Sequence, residues 1–154
     1  MRLRERSFIL VPLVGYAGLW LLGTVLFLVY FAAYGISWNE SYNQMVTGIP
    51  SVLAIITVPA SSFVSYYLVT RRILRGSADP PSCRLLLALG LVSVAVAFGL
   101  DLLITVELEG VDIRRWPMDA MYLGAYLVIV PAVVLAGRVR HEARARPARL
   151  EGSL

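Results

Sequence analysis

Apolar residues run through this chain in four long stretches divided by short polar segments. The stretches are Phe8 to Tyr34, Ile49 to Val69, Leu85 to Val106 and Ala120 to Gly137. A helix needs about 20 residues, within a range of about 17–25, to cross a hydrocarbon core of ~30 Å. All four stretches meet that length, and only the third holds an ionisable carboxylate or base in its interior, Asp101. The pattern predicts an all-α, polytopic membrane protein: a bundle of four transmembrane helices forming one membrane domain over residues 1–154. A cytoplasmic linker covers 70–84 and a basic cytoplasmic tail 138–154. Hydrophobic residues make up 58% of the chain, against roughly 45–50% in ordinary soluble domains. A soluble fold would have to bury all four stretches, and a chain of this size has too little polar surface to cover them. The first stretch follows a basic start (Arg2, Arg4, Arg6), as a signal peptide does. Its apolar run exceeds a signal core of about 7–15 residues, and no A-x-A site follows, which predicts a retained span.

Charge adds a direction. All fourteen basic residues are arginine, a choice that codon bias in a GC-rich genome explains. Three lie before the first span, four in the Thr70–Arg84 connection and five after Gly137; the Gly35–Gly48 connection has none and Glu107–Asp119 has two. Twelve against two, in short loops, places both termini in the cytoplasm by the positive-inside rule. Charges dealt out by membrane side rather than gathered on one face do not make a nucleic-acid surface. Arg71, Arg72, Arg75, Arg138, Arg140 and Arg144 are the expected lipid headgroup contacts, each worth about 1 kcal/mol at an anionic leaflet. The tail is read as a topology anchor that frays after Pro147, with an amphipathic surface segment as the other reading.

Aromatic residues mark the span ends. Tyr30, Phe31, Tyr34, Trp38 and Tyr42 surround the outer end of span one, Trp116 and Tyr122 flank the outer start of span four, and Tyr66 and Tyr67 sit near the inner end of span two. Such rings favour the headgroup zone. Pro50 and Pro117 stand near the outer starts of spans two and four, where a missing N–H costs little, and Asp119 suits a helix N-terminus. Pro12, Pro59 and Pro131 lie inside spans, where lipid-embedded helices tolerate them. GSADPPS, Gly76 to Ser82, separates two helical hairpins whose outer loops each carry a Trp and acids, a faint internal similarity.

Two stripes of small and polar residues stand out. In span three, Ser93, Ala97, Asp101 and Thr105 follow one another at i+4 with Gly90 just before; in span two the stripe is Ser51, Ala54, Val58, Ser61 and Ser65. Small residues let helices approach closely in lipid, where packing and interhelical hydrogen bonds replace the hydrophobic drive. The stripes are expected to face each other or the bundle centre, and Gly15, Gly18 and Gly23 give span one its own close approach. The Tyr16, Trp20, Phe27 and Tyr34 side of span one suits lipid or a neighbour.

Asp101 lies about five residues beyond the middle of its span, ~8 Å toward the outside at 1.5 Å per residue. A central Asp costs about 2.5–3.5 kcal/mol to insert, less off centre and less still if neutral or paired. A protonated Asp101 donating to Ser61, Ser62 or a backbone carbonyl would meet that cost. Two readings stand. In one, Asp101 with Ser93, Thr105, Ser61 and Ser65 is a polar clasp between spans. In the other it is a proton or cation site reached from outside, with Glu107, Glu109 and Asp112 drawing cations to the mouth. Intramembrane acids are functional suspects, yet no second in-span charge supplies a partner.

Other chemistry is sparsely represented. The lone His141 falls in the tail, the lone Cys83 cannot pair within the chain, and no phosphate loop, paired-cysteine motif, H-E-x-x-H or G-x-S-x-G occurs. No enzymatic activity, metal or cofactor is expected. GLDLLI (Gly99 to Ile104), GAYLVIVP (Gly124 to Pro131) and the four-span plan resemble uncharacterised families of short prokaryotic four-helix membrane proteins, over the last two spans. The resemblance implies a fold and a prokaryotic cytoplasmic membrane but no activity. Small four-helix multidrug exporters differ by an intramembrane glutamate in the first span, where this chain has no acid. The reading that follows is an accessory or assembly component working with a larger membrane protein or with itself as a homo-oligomer. The second is a small proton- or cation-coupled carrier, oligomeric, using Asp101.

Overall fold

In a computed structural model the chain forms four helices: α1 Leu3–Tyr34, α2 Ile49–Leu74, α3 Cys83–Asp101 and α4 Ala120–Glu151. The structure describes residues 3–34, 49–75, 81–104 and 120–151, and no strand occurs among them. Among the described residues, three helices are long and apolar enough to cross a membrane, over Arg6–Tyr30, Cys83–Ile104 and Tyr122–Val139. In the second helix the side chains are described from Ile55 onward.

The helices exceed the predicted spans mainly at the arginine-bearing ends. α1 begins at Leu3 rather than Phe8, and α2 runs on to Leu74 with Arg71 and Arg72 in its last turn, where cations complement the negative end of the helix dipole. α4 continues past Gly137 to Glu151, through Pro147 where the tail was expected to fray; its Arg, Ala and Glu residues are strong helix formers. α3 starts at Cys83 because Ser82 caps it: Ser82 is extended (φ −63°, ψ 153°) and its side chain accepts from the Leu85 N–H at 3.3 Å. Just after Asp101 the chain widens into a π-helical turn over Leu102–Ile104.

Packing closes the helices into a ring in the order α1, α2, α4, α3 and back to α1. Contacts fix their directions. Pro12 and Gly15 meet Tyr66 while Tyr30 meets Thr57, so α1 and α2 run oppositely. Phe98 meets Tyr126 and Leu86 meets Gly137, so α3 and α4 do too. Arg6, Arg71, Arg72, Arg75, Arg84 and Arg138 therefore collect at one end of the bundle. The ring also places α2 and α3 at opposite corners, so the buried Ser61 and Ser65 of one stripe and Ser93, Ala97 and Asp101 of the other do not pack on one another.

Close approach depends on glycine at chosen positions. A Cβ on Gly15 would fall 2.5 Å from Tyr66 Cε1, one on Gly124 2.8 Å from Pro59 Cγ, and one on Gly137 2.5 Å from Leu86 Cδ1; one on Gly18 would run into Ser65 Oγ. Gly23, expected to serve the same purpose, meets nothing within 4 Å. The interior holds Val11, Tyr16, Tyr66, Leu89, Ala97, Tyr126, Ile129, Ala132 and Val133. Tyr66 is thus a core residue rather than a headgroup anchor: it is fully buried and its hydroxyl donates to the Pro12 carbonyl at 3.4 Å. The outward surfaces are apolar instead, with Leu21, Ile56, Leu91 and Leu127 each more than 60% exposed.

Two predictions follow from the packing. Gly15→Val and Gly124→Val should lower thermal stability in detergent by about 1–3 kcal/mol through overpacking, while Gly23→Ala and Gly99→Ala leave it unchanged or slightly higher; melting curves on the purified variants check both arms. Thr70 Oγ1 is buried with no hydrogen-bond partner, and removing such a group lifts a desolvation penalty of about 1–3 kcal/mol. Thr70→Val should therefore melt no lower than the parent chain, and a clear drop would show that the hydroxyl is engaged.

Candidate functional site

The polar centre of the bundle is built around Asp101, on the last turn of α3. Its side chain is only 4% exposed, because the Ser93, Ala97, Asp101 stripe is the inward face of that helix and all three residues are buried. Tyr16 on α1 donates its hydroxyl to Asp101 Oδ1 at 2.6 Å, and Tyr126 on α4 donates to Oδ2 at 2.6 Å. One carboxyl group thereby ties α3 to both of its neighbours in the ring. Edge-to-face contacts steady the two tyrosine rings, Tyr16 against Trp20 at 6.3 Å and Tyr126 against Phe98 at 5.8 Å.

At the same level α2 is tied to the same two helices through their backbones. Ser65 Oγ donates to the Gly15 carbonyl at 2.8 Å, and Ser62 Oγ donates to the Ala125 carbonyl at 2.9 Å. Gly15 and Ala125 immediately precede Tyr16 and Tyr126 in sequence. All four helices therefore meet in one hydrogen-bonded layer, with Asp101 holding one corner and the α2 serines the opposite one.

The expected partners of Asp101 need correction. Ser62 spends its hydroxyl on the α4 backbone, and Ser61, buried on α2, belongs to the corner diagonal to α3. Only a long side chain from an adjacent helix reaches the carboxyl, and tyrosine supplies both length and donor. Of the other predicted site residues, Ser65 joins the layer, and Ser93 donates to Leu89 O of its own helix at 2.8 Å. Thr105, Glu107, Glu109 and Asp112 lie outside the described residues. Arg71, Arg72, Arg75 and Arg138 are exposed at the arginine end, and Arg138 donates to Cys83 Sγ at 3.7 Å. Arg140 and Arg144 fall on α4 beyond the described side chains.

Tyr126 was missed in the sequence, and Tyr16 was assigned to lipid or a neighbour. A signal for both exists: each lies well inside its apolar run, and a tyrosine hydroxyl at that depth needs a partner.

A cavity of about 100 Å³ adjoins the layer, lined by Leu19, Trp20, Gly23, Thr24, Phe27, Val58, Asp101, Tyr122 and Ala125. It lies on the side away from the arginine end. Gly23, Thr24 and Phe27 follow Tyr16 along α1, while Val58 and Tyr122 precede Ser62 and Tyr126 along the oppositely running α2 and α4. No group of three or more potential metal-ligating side chains occurs among the described residues. No protein-family model, curated protein or solved structure matches the chain.

Energies decide what the layer is for. Interhelical hydrogen bonds in membranes average about 0.6 kcal/mol and reach about 1.7, so two of average strength offset only part of the ~2.5–3.5 kcal/mol cost of inserting a central Asp. The arrangement fixes which helices are neighbours more than it adds stability. Tyr16→Phe and Tyr126→Phe should each cost about 0.6–1.7 kcal/mol in melting or denaturant titrations. In an Asp101→Leu background the effect of either substitution should largely vanish, which a double-mutant cycle reads directly; additive losses would mean that the hydroxyls act elsewhere.

Proposed function

We propose that the chain is a non-enzymatic integral membrane protein that crosses the prokaryotic cytoplasmic membrane four times and serves as an accessory or assembly component there. The observation that carries this reading is the internal use of Asp101: the acid within the spans has both oxygens engaged by tyrosines of the same chain. A carboxyl spent on joining helices fits a framework. Support for the fourth crossing comes from α2, whose Ile55, Ile56, Val64 and Leu68 are exposed on its outer side as on the other three helices. The arginines gathered at one end favour cytoplasmic termini. Exposed Arg71, Arg72, Arg75 and Arg138 are placed to meet lipid headgroups. Kinship with short four-helix membrane families rests on GLDLLI and GAYLVIVP alone. The partner is a larger membrane protein, or a second copy of the chain.

The cavity beside Asp101 favours a second reading, a proton- or cation-coupled carrier working as a homo-oligomer. It gives a ligand a place to stand against the carboxyl, which a sealed clasp would not.

Mild-detergent purification from native membranes should recover a larger membrane subunit in fixed stoichiometry, and Asp101→Asn should retain both folding and that recovery. A chain that purifies alone, and whose cation- or pH-dependent flux in proteoliposomes disappears in Asp101→Asn, would replace the accessory reading with the carrier.

A further inference from the structure

We infer that the cavity beside Asp101 binds a small methylated ammonium cation, of about the size of tetramethylammonium. The inference goes beyond the accessory reading and names a ligand class for the site that the carrier reading would use, but it requires no transport.

Charge balance is the first argument. Tyr16 and Tyr126 satisfy the oxygens of Asp101 as hydrogen-bond acceptors, and the Trp20 indole contributes a further polar contact. All three donors are neutral and supply no counter-charge. Among the described residues the arginines stand at the far end of the bundle. Arg84 precedes Asp101 by seventeen positions on α3, ~25 Å along a helix axis. A cation in the cavity would supply a charged partner and so select the ionised form of the carboxyl.

The lining selects the kind of cation. Trp20, Phe27 and Tyr122 present aromatic rings around the same space as Asp101, and aromatic faces attract ammonium groups through the ring quadrupole. Hard metal ions require about 6–8 oxygen ligands, which one carboxylate, the Thr24 hydroxyl and a few phenols do not supply. A primary ammonium brings three N–H donors that need acceptors. A fully methylated one has none, and its methyl groups suit Leu19, Val58 and the rings. The volume sets the limit: about 100 Å³ exceeds the ~30 Å³ share of a single water and falls well below the roughly 300–1,000 Å³ of drug-sized sites. A compact cation fits this space better than a bulky one.

Gly23 supplies a clean control, because a side chain there projects into open space rather than into a neighbour, and the residue lines the cavity. The test is titration of the purified full-length chain in lipid nanodiscs with tetramethylammonium chloride at constant ionic strength, read by calorimetry and by tryptophan fluorescence. Saturable binding is expected, weakened about tenfold or more in Asp101→Asn and abolished in Gly23→Leu, with the Gly23→Leu melting temperature unchanged. Tetrapropylammonium and the uncharged isostere neopentane should fail to compete. The inference is overturned if tetramethylammonium shows no saturable binding, if Asp101→Asn binds it as tightly as the parent, or if neopentane competes equally. Binding without flux in proteoliposomes would defeat the carrier reading while upholding this one.

Discussion

A carboxyl group within a bilayer must be met by donors from its own protein, since lipid tails offer none. Asp101 is met by two phenols from the helices on either side of it, and the rest of the bundle is arranged so that this can happen. α3 turns its Ser93, Ala97, Asp101 face inward. Gly15 and Gly18 let α2 close against α1 beside Tyr16, and Gly124 lets Pro59 close against α4 beside Tyr126. The α2 serines then bond the backbone next to each tyrosine. Polar groups gather in one layer inside while leucine, isoleucine and valine cover the outside, the inverse of a soluble bundle and the arrangement that suits lipid.

Helix existence was legible because length and apolarity are local properties. So was the importance of Asp101, since an acid in an oily run needs an explanation wherever the helix packs. Its partners were not legible. Spacing along α2 and α3 shows two matching stripes but cannot show that the ring order α1, α2, α4, α3 sets those helices at opposite corners. Ser61 and Ser62 therefore looked like natural donors, while the tyrosines that do the work belong to helices whose adjacency only packing reveals. Tyr66 was assigned to the headgroup zone by its position near a helix end, yet Gly15 opens a space that takes the whole ring into the core. The extent of α4 escaped for another reason: hydropathy ends a span where arginines begin, whereas arginine continues a helix readily.

The cavity and the clasp make opposite demands on one side chain. A purely structural carboxyl gains from complete enclosure, and an approachable one gives up some of that enclosure. Here Tyr16 and Tyr126 engage the two oxygens and the aromatic cavity adjoins the same carboxyl. The same residue thus holds the helices and borders the cavity.

The most direct measurement is solid-state NMR on the chain in lipid bilayers, with ¹³C at Asp101 Cγ and at the tyrosine Cζ positions, resolving Tyr16 and Tyr126 by substitution. The account predicts strong dipolar couplings from Asp101 to both rings at once, as hydrogen-bonded contact requires. A carboxyl coupled to neither ring, or to only one of them, would contradict it.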